Sequence, residues 1–184
     1  MVGRFLWDGP VGLPILQPVM PDTATLYDTD WYAWTQDQAA RLRELPPSQR
    51  PNGLDVEHLA EEVEDMGRSE RKAAMSLMRN IATHLLKLEF HPDQQPRRHW
   101  QREVATWRAD LELDFKASPS LRARREELFV DVWPQAWRVL NDSDGLDSPE
   151  LLRCIAEAGV SAEVPYFDVD AQLLASGWYP PPRA

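Results

Sequence analysis

The chain has 184 residues, 43% of them hydrophobic, and a formal net charge of -10. That length corresponds to one domain with a substantial core. The acidic balance argues against broad binding to nucleic acid or to an anionic membrane, since either needs a basic surface to release counterions. Cys154 is the only cysteine, which excludes an intrachain disulfide and fits a reducing, cytoplasmic setting.

In the opening MVGRFLWDGPVGLPILQPVMP, Asp8, Pro10, Pro14 and Pro18 interrupt every apolar run. It therefore reads as neither signal peptide nor membrane span. Residues 1–20 are expected to be disordered or extended, with 21–184 forming a single helical domain. Thr29 is a candidate N-cap for a first helix carrying Trp31, Trp34, Gln38, Leu42 and Leu45 on one face, and Pro46 with Pro47 stops it. The tryptophans are expected to anchor the core. PPSQRPNG is then a linker of turn residues.

Residues 54–89, LDVEHLAEEVEDMGRSERKAAMSLMRNIATHLLKLE, hold the longest unbroken helical pattern. Val56, Leu59, Ala60, Val63 and Met66 recur at helical spacing, as do Ala74, Leu77, Met78, Ile81, Leu85 and Leu88. His84 falls on the second stripe and is expected to point inward. At the centre, Gly67 either ends one helix so that Ser69 starts another, or is crossed by a single helix. The two-helix reading is favoured, because one helix would extend about 54 Å. Charge supports it. Asp55, Glu57, Glu61, Glu62, Glu64 and Asp65 form an acidic half, and Arg68, Arg71, Lys72 and Arg79 face only Glu70 in a basic half. An antiparallel hairpin would set one beside the other.

From Arg97 to about Ala117, Trp100, Val104, Trp107, Leu111 and Phe115 keep helical spacing, with Arg97, Arg98, Arg102 and Arg108 among them. These arginines are expected to cover acids such as those of the acidic half. Pro119 opens a further helix through Leu121, Leu128, Val132, Ala136 and Leu140, with a kink near Val130 or a break after Trp133 imposed by Pro134. NDSDGLD reads as a loop, Ser148 and Pro149 as a helix start, and Gly159 as its C-cap. The tail holds Pro165, Tyr166, Phe167, Leu173, Leu174 and Trp178, too apolar for solvent. It should pack back over the bundle with a short helix at residues 170–176. The fold expected is an all-α bundle of about six or seven helices around a central helical hairpin.

LDVEHLAEEVEDMGRSER followed by HLLKLEFHP, where a HLLKWQ-like ending is usual, resembles the signature of the bacterial family known as domain of unknown function 29. The resemblance extends to YDTDWYAWTQDQAARLRE, WQREVATWRADLELDFKASPSLR and VPYFDVDAQLLASGWYP, with DSPELLRCIAEAGVSAE a looser match. It covers residues 27–180. It implies an all-helical soluble domain and no activity.

Two constellations point to chemistry. Glu57, His58, Glu61 and Glu62 lie within two turns, and His84 would reach them across the hairpin, as in bundles that bind metals through carboxylate and histidine. The di-metal pattern needs Glu-x-x-His twice, and the chain offers only Asp55-x-x-His58, once. A buried His84 hydrogen-bonded to a glutamate is the favoured alternative. The second constellation, Arg79 to His84, resembles the short motif of the higher-eukaryote and prokaryote nucleotide-binding ribonucleases. By that resemblance Arg79 would stabilise phosphate charge and His84 would act as general acid or base. On a regular helix the two stand about 140° apart, so they share no face. No phosphate-cradling glycine loop is present, and Cys154 reads as a small buried apolar residue. The favoured function is a macromolecule-binding or self-associating module that acts through an acidic face bearing Glu57, His58, Glu61 and Glu64, or through its aromatic termini. It calls for no cofactor or metal; a protein partner is expected, and nucleic acid and membrane are disfavoured.

Overall fold

The computed structural model describes residues 23–142 and 149–183, and among these every regular element is helical. Its organising element is a helix, α3 (Val56–Phe90), that runs 35 residues without a break, about 53 Å at the α-helical rise. The hairpin expected within residues 54–89 does not form. Gly67 stays in the helix and is buried, and a Cβ built on it would lie 2.2 Å from Thr35 Oγ1. Glycine is there so that a second helix can approach, not to terminate the first. The acidic and basic halves of the stretch are collinear and never face each other.

The hairpin that does form pairs the first half of α3 with α2 (Trp31–Glu44). Ala60, Gly67 and Ala74, seven apart and all buried, lay a strip of minimal side chains along α3. Thr35 and Ala39 are the buried residues of α2. The charge complementarity expected between the two halves is supplied from here: Arg43 pairs with Glu64, and Arg50, beyond the end of α2, pairs with Glu57. Thr35 opposite Gly67 and Arg50 opposite Glu57 make the pair antiparallel.

The cap of α2 is Asp30, whose carboxylate accepts from the Ala33 N–H at 3.0 Å. Thr29, the expected cap, instead ends α1 (Thr23–Thr29). The same carboxylate accepts from the Ser120 N–H and hydroxyl, each at 2.7 Å, and so ties α2 to α5 (Pro119–Ala123). The tryptophans of α2 do not anchor the core. Trp31 and Trp34 are half-buried and stack at 4.9 Å, with Tyr27 edge-on to both.

The core lies at the other end of α3. Met78, Ile81, Leu85 and Leu88 pack with Leu111 and Phe115 of α4 (Arg97–Ala117) and with Leu128, Val132 and Trp133 of α6 (Arg125–Asp142). The helix expected from Pro119 onward is broken at Arg124, which caps α5, and α6 then runs through Pro134. The bond that Pro134 removes would have ended on the carbonyl of Val130, a residue 56% exposed, where water can replace it.

Residues 143–148, with most of the expected loop and Ser148, lie outside the described residues. Pro149 opens α7 (Pro149–Glu157). Gly159, at φ +72°, closes it, with the Val160 N–H donating to the Ile155 carbonyl at 3.2 Å. The tail folds back as expected through one π-helical turn, Val169–Leu173, capped by Asp168. Arginines of α4 hold it, and they do so on carbonyls rather than by covering the acids of α3. Arg108 is 6% exposed and donates to the carbonyls of Leu173 (2.8 Å), Gln172 (2.6 Å) and Trp178 (2.8 Å). Arg97 donates to those of Leu88 and Pro180.

Candidate functional site

His84 sits where α3 meets α4. Its Nε2 lies 3.1 Å from Glu103 Oε2 and its Nδ1 3.1 Å from the Asn80 carbonyl, with the ring edge-on to Trp107 at 4.7 Å. His99 Nε2 reaches the same carboxylate oxygen at 3.4 Å. Burial pushes the His84 pKa below its ordinary value and nearby Lys87 adds to this, against the opposing pull of Glu103. A neutral ring carries one N–H and serves one of its two acceptors. The inward histidine meeting a glutamate therefore matches the helical phase, with the glutamate coming from α4.

A pH dependence follows. The folded state resists protonating His84, so its contribution to stability is fully present above the unfolded pKa of about 6.5 and is lost as the pH falls from there through the lower folded pKa. Urea unfolding at about pH 7.5 and about pH 5.5 should show a drop on acidification, and His84→Gln should flatten it. His58 has the opposite sign, because hydrogen bonding to Asp55 raises its pKa. An unchanged slope in His84→Gln would show that His84 is not the group responsible.

Arg79 points away from His84. Its Nη2 donates to Ser76 Oγ at 3.0 Å on its own helix, and its buried Nε has no partner. The two residues named by the ribonuclease resemblance open onto different sides of α3. The acidic group is equally remote from the imidazole. Glu57 and Glu64 are held by Arg50 and Arg43, His58 lies 2.5 Å from Asp55, and Glu61 is exposed. Between 20 and 27 residues separate Glu64 and Glu57 from His84 along one helix, about 30–40 Å. Among the described residues no group of three or more His, Cys, Asp or Glu is arranged to hold a metal ion. A cavity of about 300 Å³ opens elsewhere, beside Arg108 and Arg122 against Phe115, Leu174 and Gly177. Cys154 is half-buried at the edge of the core rather than fully enclosed.

The surface that stands out is one flank of the α2–α3 hairpin. Thr35 against Gly67 marks the line of contact, and Arg43 with Glu64 marks one flank. In helical phase, Trp31, Trp34 and Leu45 of the α2 segment and Leu59, Val63 and Met66 of α3 fall on the opposite flank. Tyr27 is 54% exposed, Leu59 40% and Met66 47%. Among the described residues only the short α1, which contributes Tyr27, borders this flank, and no further helix covers it. The expectation that Trp31 and Trp34 anchor the core fails because periodicity reports an apolar stripe without saying what covers it.

An all-helical domain built on one long helix, with a hydrophobic core at one end and an apolar hairpin flank at the other, is the class these features define. The chain belongs to the family described as domain of unknown function DUF29, whose family model matches residues 26–174. It is similar to the crystal structure of an alpha-helical protein of unknown function from Rhodospirillum rubrum ATCC 11170, with 30% identity, a TM-score of 0.55, and coverage of 82% of this chain and 90% of that one. No curated protein matches.

Proposed function

We propose that this chain is an interaction module that seats a partner protein on the hairpin flank formed by Tyr27, Trp31, Trp34, Leu59, Val63 and Met66. The observation that carries this is the exposure of Tyr27, Leu59 and Met66, at 54%, 40% and 47%, on one side of the molecule. Aromatic residues and methionine are enriched at interface centres, and contiguous apolar surface marks such sites. Glu64 contributes by pairing with Arg43 of α2, and Glu57 by pairing with Arg50 just beyond it, which together hold the hairpin. The single cysteine goes with a cytoplasmic setting for this role, and among the described residues no helix is long and apolar enough to cross a membrane.

A photoreactive benzoylphenylalanine placed at position 66 or 59 of the full chain tests this in cells. Each should give a discrete covalent adduct on illumination, and the same group at Val164, which is 67% exposed away from the hairpin, should not. No adduct from positions 59 and 66, or equal labelling from position 164, would overturn the reading.

A further inference from the structure

The apolar stripe on α3 does not end in solvent; it runs into carboxylates. Leu59, Val63 and Met66 lead in helical phase to Glu70. Glu70 is within electrostatic reach of Asp114 in the last turn of α4, and Asp114 of Asp110. Burial first, and then the neighbouring carboxylate, pushes the pKa of both Glu70 and Asp114 upward. Among the described residues neither forms an ion pair. Glu62, exposed, borders the stripe one turn away.

The arginines of the hairpin are committed elsewhere, and Lys72, exposed, falls in helical phase on the other side of α3 from Glu70. Arg43 and Arg50 are held by Glu64 and Glu57, Arg71 by Asp131 at 2.7 Å, and Arg68 by Asp65 at 2.7 Å. Arg41, on the exposed side of α2, is held by Asp37 at 2.6 Å. The flank is thus apolar along its middle and acidic where α3 meets α4. Two like charges crowded without a cation are relieved by a cation from outside, and a second copy of this chain, at net charge -10, is poorly suited to bring one.

We infer that the partner seated on this flank is a basic amphipathic helix of another protein, its apolar ridge on Tyr27, Trp34, Leu59 and Met66 and a lysine or arginine beside Glu70 and Asp114. This rests on the interaction-module reading above. A third helix completes the layer that α2 and α3 leave open, by the same ridge-and-groove packing that joins them. From Leu59 to Glu70 the stripe extends about 17 Å, three turns of a guest helix.

The test uses fluorescein-labelled synthetic 14-residue helices titrated with the full chain by anisotropy. One carries leucine on one face and lysine on the other, a second replaces lysine by glutamate, and a third keeps the first composition with its helical phase scrambled. The lysine helix should bind about tenfold or more tighter than the glutamate helix, and added salt should shrink that preference. Glu70→Gln/Asp114→Asn should abolish the preference, while Met66→Asp and Leu59→Asp should abolish binding with the helical circular dichroism intact. Equal binding of the lysine and glutamate helices, lost in Met66→Asp, would overturn the basic partner and leave the interaction module standing. No binding of any helix, or binding indifferent to Met66→Asp, would overturn both. Binding that emerges only when Leu6→Asp/Trp7→Asp is introduced would name the chain's own N-terminal segment as occupant. A dimer in light scattering that Met66→Asp dissociates would name a second copy; either result rejects the inference.

Discussion

Gly67→Ala is expected to destabilise the protein by about 1–3 kcal/mol, the range for overpacking a filled interior, even though alanine is the better helix former by about 1 kcal/mol. The two effects have opposite signs, and geometry decides between them. The added Cβ would sit 2.2 Å from Thr35 Oγ1, 2.8 Å from Gln36 Nε2 and 3.2 Å from Thr35 Cβ. Gln36 can swing aside. Thr35 cannot do so freely: it is fully buried, branched at Cβ, and its hydroxyl donates to the Tyr32 carbonyl at 2.8 Å. The helices must therefore part, and separation along the Ala60, Gly67 and Ala74 strip loosens the whole hairpin. Urea unfolding of Gly67→Ala, Thr35→Ala and the double variant closes a cycle. Removing the hydroxyl should return part of the loss, giving a coupling that two independent sites would not show. A Gly67→Ala protein more stable than the parent would mean that α2 does not approach α3 this closely, and the exposed flank would need to be redrawn.

The same residue shows what could and could not be read beforehand. A glycine inside a helical pattern has two meanings, an end or a close approach, and composition does not separate them. What separates them is the spacing of seven from Ala60 to Gly67 to Ala74, a row of small residues that predicts a neighbouring backbone. Charge alone places the acidic half beside the basic half of its own stretch, and the structure overturns this: Glu64 and Glu57 pair with Arg43 and Arg50 instead, because charge does not say which basic segment comes alongside. The all-helical fold, the limits of α4, the C-cap at Gly159 and the returning tail follow from local signals of phase, proline and glycine. The meeting of His84 with Glu103 and of Glu70 with Asp114 depends on the register between α3 and α4, which no local signal sets. The exposed flank was invisible for a related reason: a stripe looks the same whether a helix or solvent covers it.

Arg108 left a trace of another kind. It falls in phase with Val104, Leu111 and Phe115, so a cation was written into a core stripe, and the structure shows why. Three carbonyls of the tail accept from its guanidinium, and its guanidinium carbon lies 5.3 Å from the centre of the Tyr179 ring. Arg108→Met keeps most of the apolar stem and removes every donor. Three charge-assisted bonds at about 1.5–3 kcal/mol each, less the relief of a buried charge, give an expected loss of about 3 kcal/mol. Arg108→Lys should recover little, because one ammonium cannot serve three carbonyls set around a planar fork. The loss should also be local. Arg108 bonds to the tail's backbone and not to the helices of the core, so the tail should peel from the bundle before the core melts. That exposes Phe167, Val169 and Leu173, which are buried in the parent, and limited proteolysis should cut within residues 164–183 under conditions that leave the parent intact. If Arg108→Met unfolds at the parent's urea midpoint and resists cleavage equally, the burial of those apolar residues and the other ties of the tail, such as Arg97 to Pro180 and Arg125 to Asp170, hold it without Arg108, and the carbonyl cluster around Arg108 is incidental to it.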